Sequence, residues 1–410
     1  MTTRDECLAL DANDPFAPLR DEFILRDGEI YLDGNSLGPV SKGLQRRVSE
    51  VIDGEWAQGL VRSWNAAGWM DAPLVLGNRL APLIGALEDE VLVADTLTLL
   101  LAKIIGGSLE LRPERHVVIT DAVNFHSDLY IVAAMARLAG RDIIVKTIDR
   151  DTLDDHLDDD VALVMLTHVD FRTGEMLDMA GITTAVHSVG ALMLWDLAHS
   201  VGAVTLDVTE TDVDFAAGCG YKYLNGGPGA PAFMYVASRW HGVLRNPLPG
   251  WLAHARPFDF ESTYETAGGM RAYVTSSPSV IALGALDGAL EVWARTTMAD
   301  VRVKSLALTD LFVALVDDFL PGVFELLTPR DHDRRGSQVA LRHADGYGVI
   351  QALIERGVIG DFRAPDICRF GFTPLYLRYV DVYDAVQVLA DVMTSGAYLD
   401  GRFSARLAVT

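Results

Sequence analysis

Between residues 90 and 240 short, almost purely apolar runs alternate with stretches of helical period. "VLVAD" precedes "TLTLLLAKIIGG", "HVVITD" precedes "SDLYIVAAMARLAG", and "DIIVKTI", "ALVMLTHVD", "LMLWDLAHSVG", "FAAGCG" and "APAFMYVA" continue the series, with "ITTAVHSVGA" as one of the helices between. Strands without polar alternation are buried on both faces, and helices between them supply the crossovers of a parallel sheet. The expected fold is therefore α/β, a mostly parallel sheet covered by helices, with a smaller α+β unit after it. In such sheets ligands sit beyond the carboxyl ends of the strands. The residues ending these runs are polar or reactive: Asp95, Asp121, Thr167, Asp196 and Cys219.

The chain has 410 residues, enough for more than one core. The boundaries expected are an N-terminal arm over 1–45 that packs with the small domain, a large domain over 46–280, and a small C-terminal domain over 281–410. A formal net charge of -23 repels nucleic-acid phosphates and anionic lipid surfaces, so neither is expected as a partner. Cys7, Cys219 and Cys368 are widely spaced, which excludes a disulfide framework and a paired-cysteine metal site. With no signal-like start and no apolar run near 20 residues, a cytoplasmic protein is expected, with no metal.

Lysine is rare here, at positions 42, 103, 146, 222 and 304 only. Lys222 stands in "GCGYKYLNGGPGAPAF", an apolar, glycine-rich passage where a flexible amine needs a reason. One strand earlier Asp196 closes the apolar run "LMLWD", and a carboxylate there must be paired or shift its pKa. An acid and a lysine on successive strand ends are what pyridoxal 5'-phosphate requires: an amine for its aldehyde, and a carboxylate that keeps its ring nitrogen protonated. Thr96 and Thr98 open a helix directly after a strand and so offer a phosphate site, or ordinary caps. In "NFHSDLY", Phe125 can stack on a ring while Ser127 and Asp128 reach its polar edge; Ser127 alone also reads as a cap.

With "YLDGNSLGP", "WDLAHSVGA", "GCGYKYLNGGPGAPAF", "GWLAH" and "RFGFTPLY" in this order, the chain resembles the kynureninase family, within the fold type I (aspartate aminotransferase-like) pyridoxal-phosphate enzymes. The resemblance runs nearly end to end. It implies hydrolysis of L-kynurenine to anthranilate and L-alanine in tryptophan catabolism, with 3-hydroxykynurenine as a further substrate to be weighed. Lys222 would be the Schiff-base lysine, Asp196 the partner of the pyridinium nitrogen, and Tyr221 a proton carrier and phosphate ligand. Leu97 and Thr98 would bind the phosphate, and Phe125, Ser127, Asp128, Thr167 and His199 would line the cofactor. Trp251 and Ser277 would reach in from the neighbouring subunit of a homodimer with shared sites. Arg369 would hold the substrate carboxylate, with Ser36 touching the substrate and Trp64 facing its aromatic end. Ala253 and Ser277 depart from the family pattern, with Ser276 able to take the latter position, and both bear on ring preference. A cysteine desulfurase or class V aminotransferase activity, or a silent cofactor-binding dimer, stands as the alternative.

Overall fold

A computed structural model describes residues 2–404; the last six residues assigned above to the C-terminal domain, 405–410, lie outside the described residues. Seven strands form the main sheet: β1 (Val91–Ala94), β2 (Val117–Asp121), β3 (Ile144–Ile148), β4 (Val161–Thr167), β5 (Leu192–Asp196), β6 (Phe215–Cys219) and β7 (Ala232–Val236). Their order is β1-β7-β6-β5-β4-β2-β3. The pairs β2–β3, β2–β4, β4–β5 and β5–β6 are parallel, while β7 runs antiparallel to both β6 and β1.

Alternate residues of each strand feed two cores. Val91 and Val93 face one and Leu92 and Ala94 the other, and the pattern repeats at Val164 against Leu163 and Met165. Both faces are thus dry, which is why the sequence shows continuous apolar runs, except at the edge strand β3, where only Ile148 is buried and Ile144 is exposed. Helices α1 (Leu97–Leu111), α2 (His126–Leu138) and α3 (Met179–Ser188) provide cover, and each of α1 and α2 begins within a few residues of a strand's carboxyl end. None of the helices among the described residues is long and apolar enough to cross a membrane.

After α4 (Val280–Trp293) and the 22-residue α5 (Met298–Phe319), a second, antiparallel sheet forms from β8 (Glu325–Leu326), β9 (Gln338–Arg342), β10 (Asp361–Arg363) and β11 (Ile367–Gly371). Its order is β10-β11-β9-β8. Helix α6 (Gly346–Ile354) lies between β9 and β10, and α7 (Tyr379–Ser395) packs on α5. Near the amino terminus, Ile30 and Tyr31 pair in parallel with Val358 and Ile359, and Lys304 donates to Asp14 (2.6 Å) and to the Pro374 carbonyl (2.7 Å). The arm is therefore fastened to the C-terminal sheet region by backbone pairing and by a buried ion pair.

Candidate active site

A cavity of about 270 Å3 opens at the carboxyl ends of β4, β5 and β6 and the start of α1. Of the residues singled out in the sequence, Thr96, Leu97, Thr98, Phe125, Ser127, Thr167, Asp196, His199, Tyr221 and Lys222 line it, joined by Phe171 and Ala198. The ends of five strands, β1, β2, β4, β5 and β6, and the turns that follow them converge there, so one topological rule gathers residues from position 96 to position 222.

Lys222 follows β6, and its Nζ lies 2.8 Å from His199 Nε2. Burial pushes the His199 pKa well down, and the charges of Lys222, Arg369 and Arg363 push it further. The imidazole is neutral, so Nε2 accepts from the lysine ammonium and Nδ1 carries the ring's hydrogen. That Nδ1 is buried without a partner.

Asp196, only 3% exposed, accepts from the Ala198 N–H at 2.8 Å. Burial raises its pKa against the pull of Lys222, the Ala198 N–H, Asp128 and Thr167. Asp128 lies against it on the first turn of α2 and is raised well above the carboxylate range, by burial and then by the Asp196 charge. Two acids so close in a dry site share one negative charge, with the proton on Asp128.

Thr96 is the N-cap residue of α1, but its side chain makes no capping bond. Ser127 does not cap α2 either; that position is Phe125, and the Ser127 hydroxyl instead lies 3.5 Å from Asp128. The capping reading of these hydroxyls therefore fails. The α1 start keeps backbone N–H groups turned to the cavity end of the sheet, an arrangement suited to an anion. Behind it, Asp95 adopts a left-handed backbone (φ 47°) and receives the buried Lys103 Nζ at 2.5 Å, which also donates to the Tyr273 carbonyl at 2.6 Å. Phe125 is fixed by Asn124, whose Oδ1 accepts from the Phe125 N–H (2.8 Å) and from Thr167. Its ring meets Phe171 edge-on at 5.2 Å.

Arg369 lies at the edge of the cavity and donates to the carbonyl of Phe171. Ser36, from the arm, accepts from Arg369 (2.8 Å) and donates to Asp361 (2.7 Å). The arm then reaches the lysine turn: the Gly38 N–H donates to the Tyr221 carbonyl at 2.8 Å. A Cβ on Gly38 would collide with the Lys222 carbonyl and the Asn225 side chain, so only glycine allows this approach.

Three expected residues are not brought to this chain's cavity. Trp251 is 38% exposed and forms an aromatic group with Trp64 (6.2 Å) and Phe258 (5.8 Å). Ser277 is exposed in the loop before α4, beside Ser276. Conversely, the sequence reading passed over Lys103, Phe171, Asp361 and Arg363. The first was visible as a lone charge inside an apolar run. The last two were visible as charges two residues apart in "GDFRAPDICR", which places both on one face of a strand.

The cavity unites a lysine, a buried acid pair, an aromatic face and an uncapped helix start, the donor set that pyridoxal phosphate needs. A family model described as the Kynureninase C-terminal domain matches residues 301–389. Over 416 aligned positions, covering all of both chains, the sequence is 48% identical to a kynureninase of Burkholderia mallei. This chain belongs to the kynureninase family. A kynureninase of Pseudomonas fluorescens is 47% identical over the same extent. The apo cysteine desulfurase of Thermococcus onnurineus NA1 superposes with a TM-score of 0.79 over 93% of this chain and 98% of its own, at 16% identity, which reflects the shared fold. Membership in the kynureninase family makes the protein a pyridoxal-phosphate-dependent hydrolase of carbon–carbon bonds, as the sequence reading expected.

Proposed function

We propose that this cavity hydrolyses L-kynurenine to anthranilate and L-alanine with the roles that follow. The observation that supports it is the convergence of Lys222, Asp196 and the α1 start on one cavity, with Arg369 at its edge, in a chain so similar to kynureninases over its full length. Leu97 and Thr98, through the N–H groups opening α1, and the Tyr221 hydroxyl hold the cofactor's phosphate. Phe125 would cover one ring face, Asp196 would meet the ring nitrogen, and Ser127, Asp128, Thr167 and His199 would complete the lining. When bound, pyridoxal phosphate supplies an electron sink for carbanions next to the substrate nitrogen.

The protein's own contribution is placement and proton traffic. Lys222 Nζ takes the proton from substrate Cα, with neutral His199 orienting it through their 2.8 Å contact. The acid pair would present a single negative charge to the cofactor's ring nitrogen, because Asp128 retains its proton. Burial pushes the Tyr221 hydroxyl above its ordinary range, so it acts as a donor, toward the product's Cβ or the carbonyl oxygen. Arg369 receives the α-carboxylate, with Ser36 packed against it as acceptor of its Nη2–H. Trp64 and Trp251 pack together outside this chain's cavity, Trp251 and Ser277 being exposed, which supports a homodimer in which they close the neighbour's site over the aromatic ring. We place the enzyme in the cytoplasm, in keeping with its unpaired cysteines.

The test is fluorescence of released anthranilate when holoenzyme meets L-kynurenine, with Lys222→Ala alongside. Release by wild type alone is expected. A wild type that binds pyridoxal phosphate and releases no anthranilate refutes the substrate assignment.

A further inference from the structure

The hairpin β10–β11 sets Asp361 directly opposite Arg369, and Arg363 two residues on from Asp361 on the same face. The result is a packed cluster of two guanidiniums on one carboxylate. Arg369 Nε donates to Asp361 Oδ1 at 2.8 Å, Nη2 donates to Asp361 Oδ2 and to Ser36 Oγ, and Nη1 donates to the Phe171 carbonyl. A guanidinium has five N–H groups. Four are thus engaged, and Arg369 is 1% exposed, so it cannot turn to offer a two-pronged fork without breaking its bond to Asp361. A substrate carboxylate finds one N–H there, on Nη1, beside a charge that Asp361 already balances.

Arg363 has what Arg369 lacks. Its Nη2 lies 2.6 Å from Asp361 Oδ2 and 3.2 Å from Ser36 Oγ, while Nε and Nη1 make no hydrogen bond to the described residues. Its side chain is 37% exposed, whereas Asp361 and Arg369 are buried, so it stands on the open side of the cluster. Its charge is felt at Tyr221 and at His199, two residues that line the cavity.

We propose that Arg363 is a second carboxylate-binding residue: the substrate α-carboxylate is held between the remaining Nη1–H of Arg369 and the free N–H groups of Arg363, with Asp361 positioning both arginines. The inference rests on the amino-acid-hydrolase reading of this cavity and names the second arm of its carboxylate subsite. One N–H from each guanidinium gives the anion two charge-assisted bonds, and two arginines on one aspartate leave a net positive charge, which Arg369 paired with Asp361 does not.

The experiment measures binding to the holoenzyme by calorimetry with two probes: L-alanine, a product that bears the α-carboxylate, and ethylamine, which is alanine with that group replaced by hydrogen. Arg363→Gln should weaken L-alanine about 10- to 100-fold, the range for a lost charged hydrogen bond, and leave ethylamine within about twofold. For L-kynurenine the loss should fall on KM more than on kcat. Arg363→Lys should restore part of the alanine affinity. Alanine binding to Arg363→Gln within about threefold of wild type overturns the proposal, as does an equal loss for both probes, which would indicate a disturbed site. Failure of the substrate assignment is separate, since it is read as absence of anthranilate from wild type, while alanine affinity reports on Arg363 in either case.

Discussion

Removing Asp361 should be among the most destabilising single changes in the C-terminal sheet. Asp361 is 2% exposed and Arg369 1%, and the pair is closed by two hydrogen bonds. Burial raises the Asp361 carboxyl, but Arg369 and then Arg363 overcome this and hold it below the usual range. Asp361→Leu keeps most of the volume yet leaves the Arg369 guanidinium buried with only Ser36 and the Phe171 carbonyl as acceptors. An uncompensated buried charge of this kind costs about 3–5 kcal/mol. Arg363, being partly exposed, can turn to water and adds little to the loss. With a urea slope of about 3 kcal/mol per molar, the denaturation midpoint should fall by roughly 1 to 1.7 M. Asp361→Leu with Arg369→Met removes both charges, and such apolar replacement is often close to neutral. The double variant should therefore recover more than half of the lost midpoint, a coupling that a mutant cycle reads directly. A single variant within about 0.3 M of wild type, or a double variant that simply adds the two losses, would refute the claim that this buried charge is held by Asp361.

Three further outcomes follow from the same contacts. Gly38→Ala drives a methyl into the Lys222 carbonyl and the Asn225 side chain, and should cost about 1–3 kcal/mol in thermal unfolding and lower kcat by displacing the lysine turn; unchanged stability and rate would contradict this packing. Lys103→Met removes the bonds to Asp95 and the Tyr273 carbonyl, and should both destabilise by about 1.5–3 kcal/mol and let pyridoxal phosphate dialyse out faster; retention equal to wild type would show that this lysine does not support the phosphate turn. Asp33 is pushed up to about 7 by burial and by Asp361, against the pull of Arg369, Ser36 and Arg363. A carboxyl raised in the folded state binds more protons folded than unfolded, so its contribution is present at low pH and is lost as pH rises from about 4 toward 7. Asp33→Asn should flatten the decline of melting temperature across that window, and parallel profiles for the two proteins would count against it.

What the sequence could disclose was whatever local pattern encodes. Continuous apolar runs marked the strands of the main sheet, doubly buried in every case but the edge strand β3, and the parallel rule then placed Thr167, Asp196 and Lys222 at one end of the sheet, where the cavity lies. The direction of β7 was not legible, because "AFMYV" is equally apolar whichever way it runs and pairing sense depends on neighbours far along the chain. The arm's pairing of Ile30 with Val358 spans most of the molecule and leaves no local trace. The arginine cluster was hidden for a different reason. Read singly, Asp361 and Arg363 look like solvated hairpin charges, and only the register that sets Asp361 against Arg369 turns them into a buried network. That register also reassigns the work of Arg369. A lone arginine in "RFGFTPLY" suggests a free fork for a carboxylate, but an arginine already tied to an aspartate across the strand holds little in reserve. A carboxylate entering so acidic a protein then needs positive charge from elsewhere, and the guanidinium of this cluster with more than one donor unengaged among the described residues is that of Arg363.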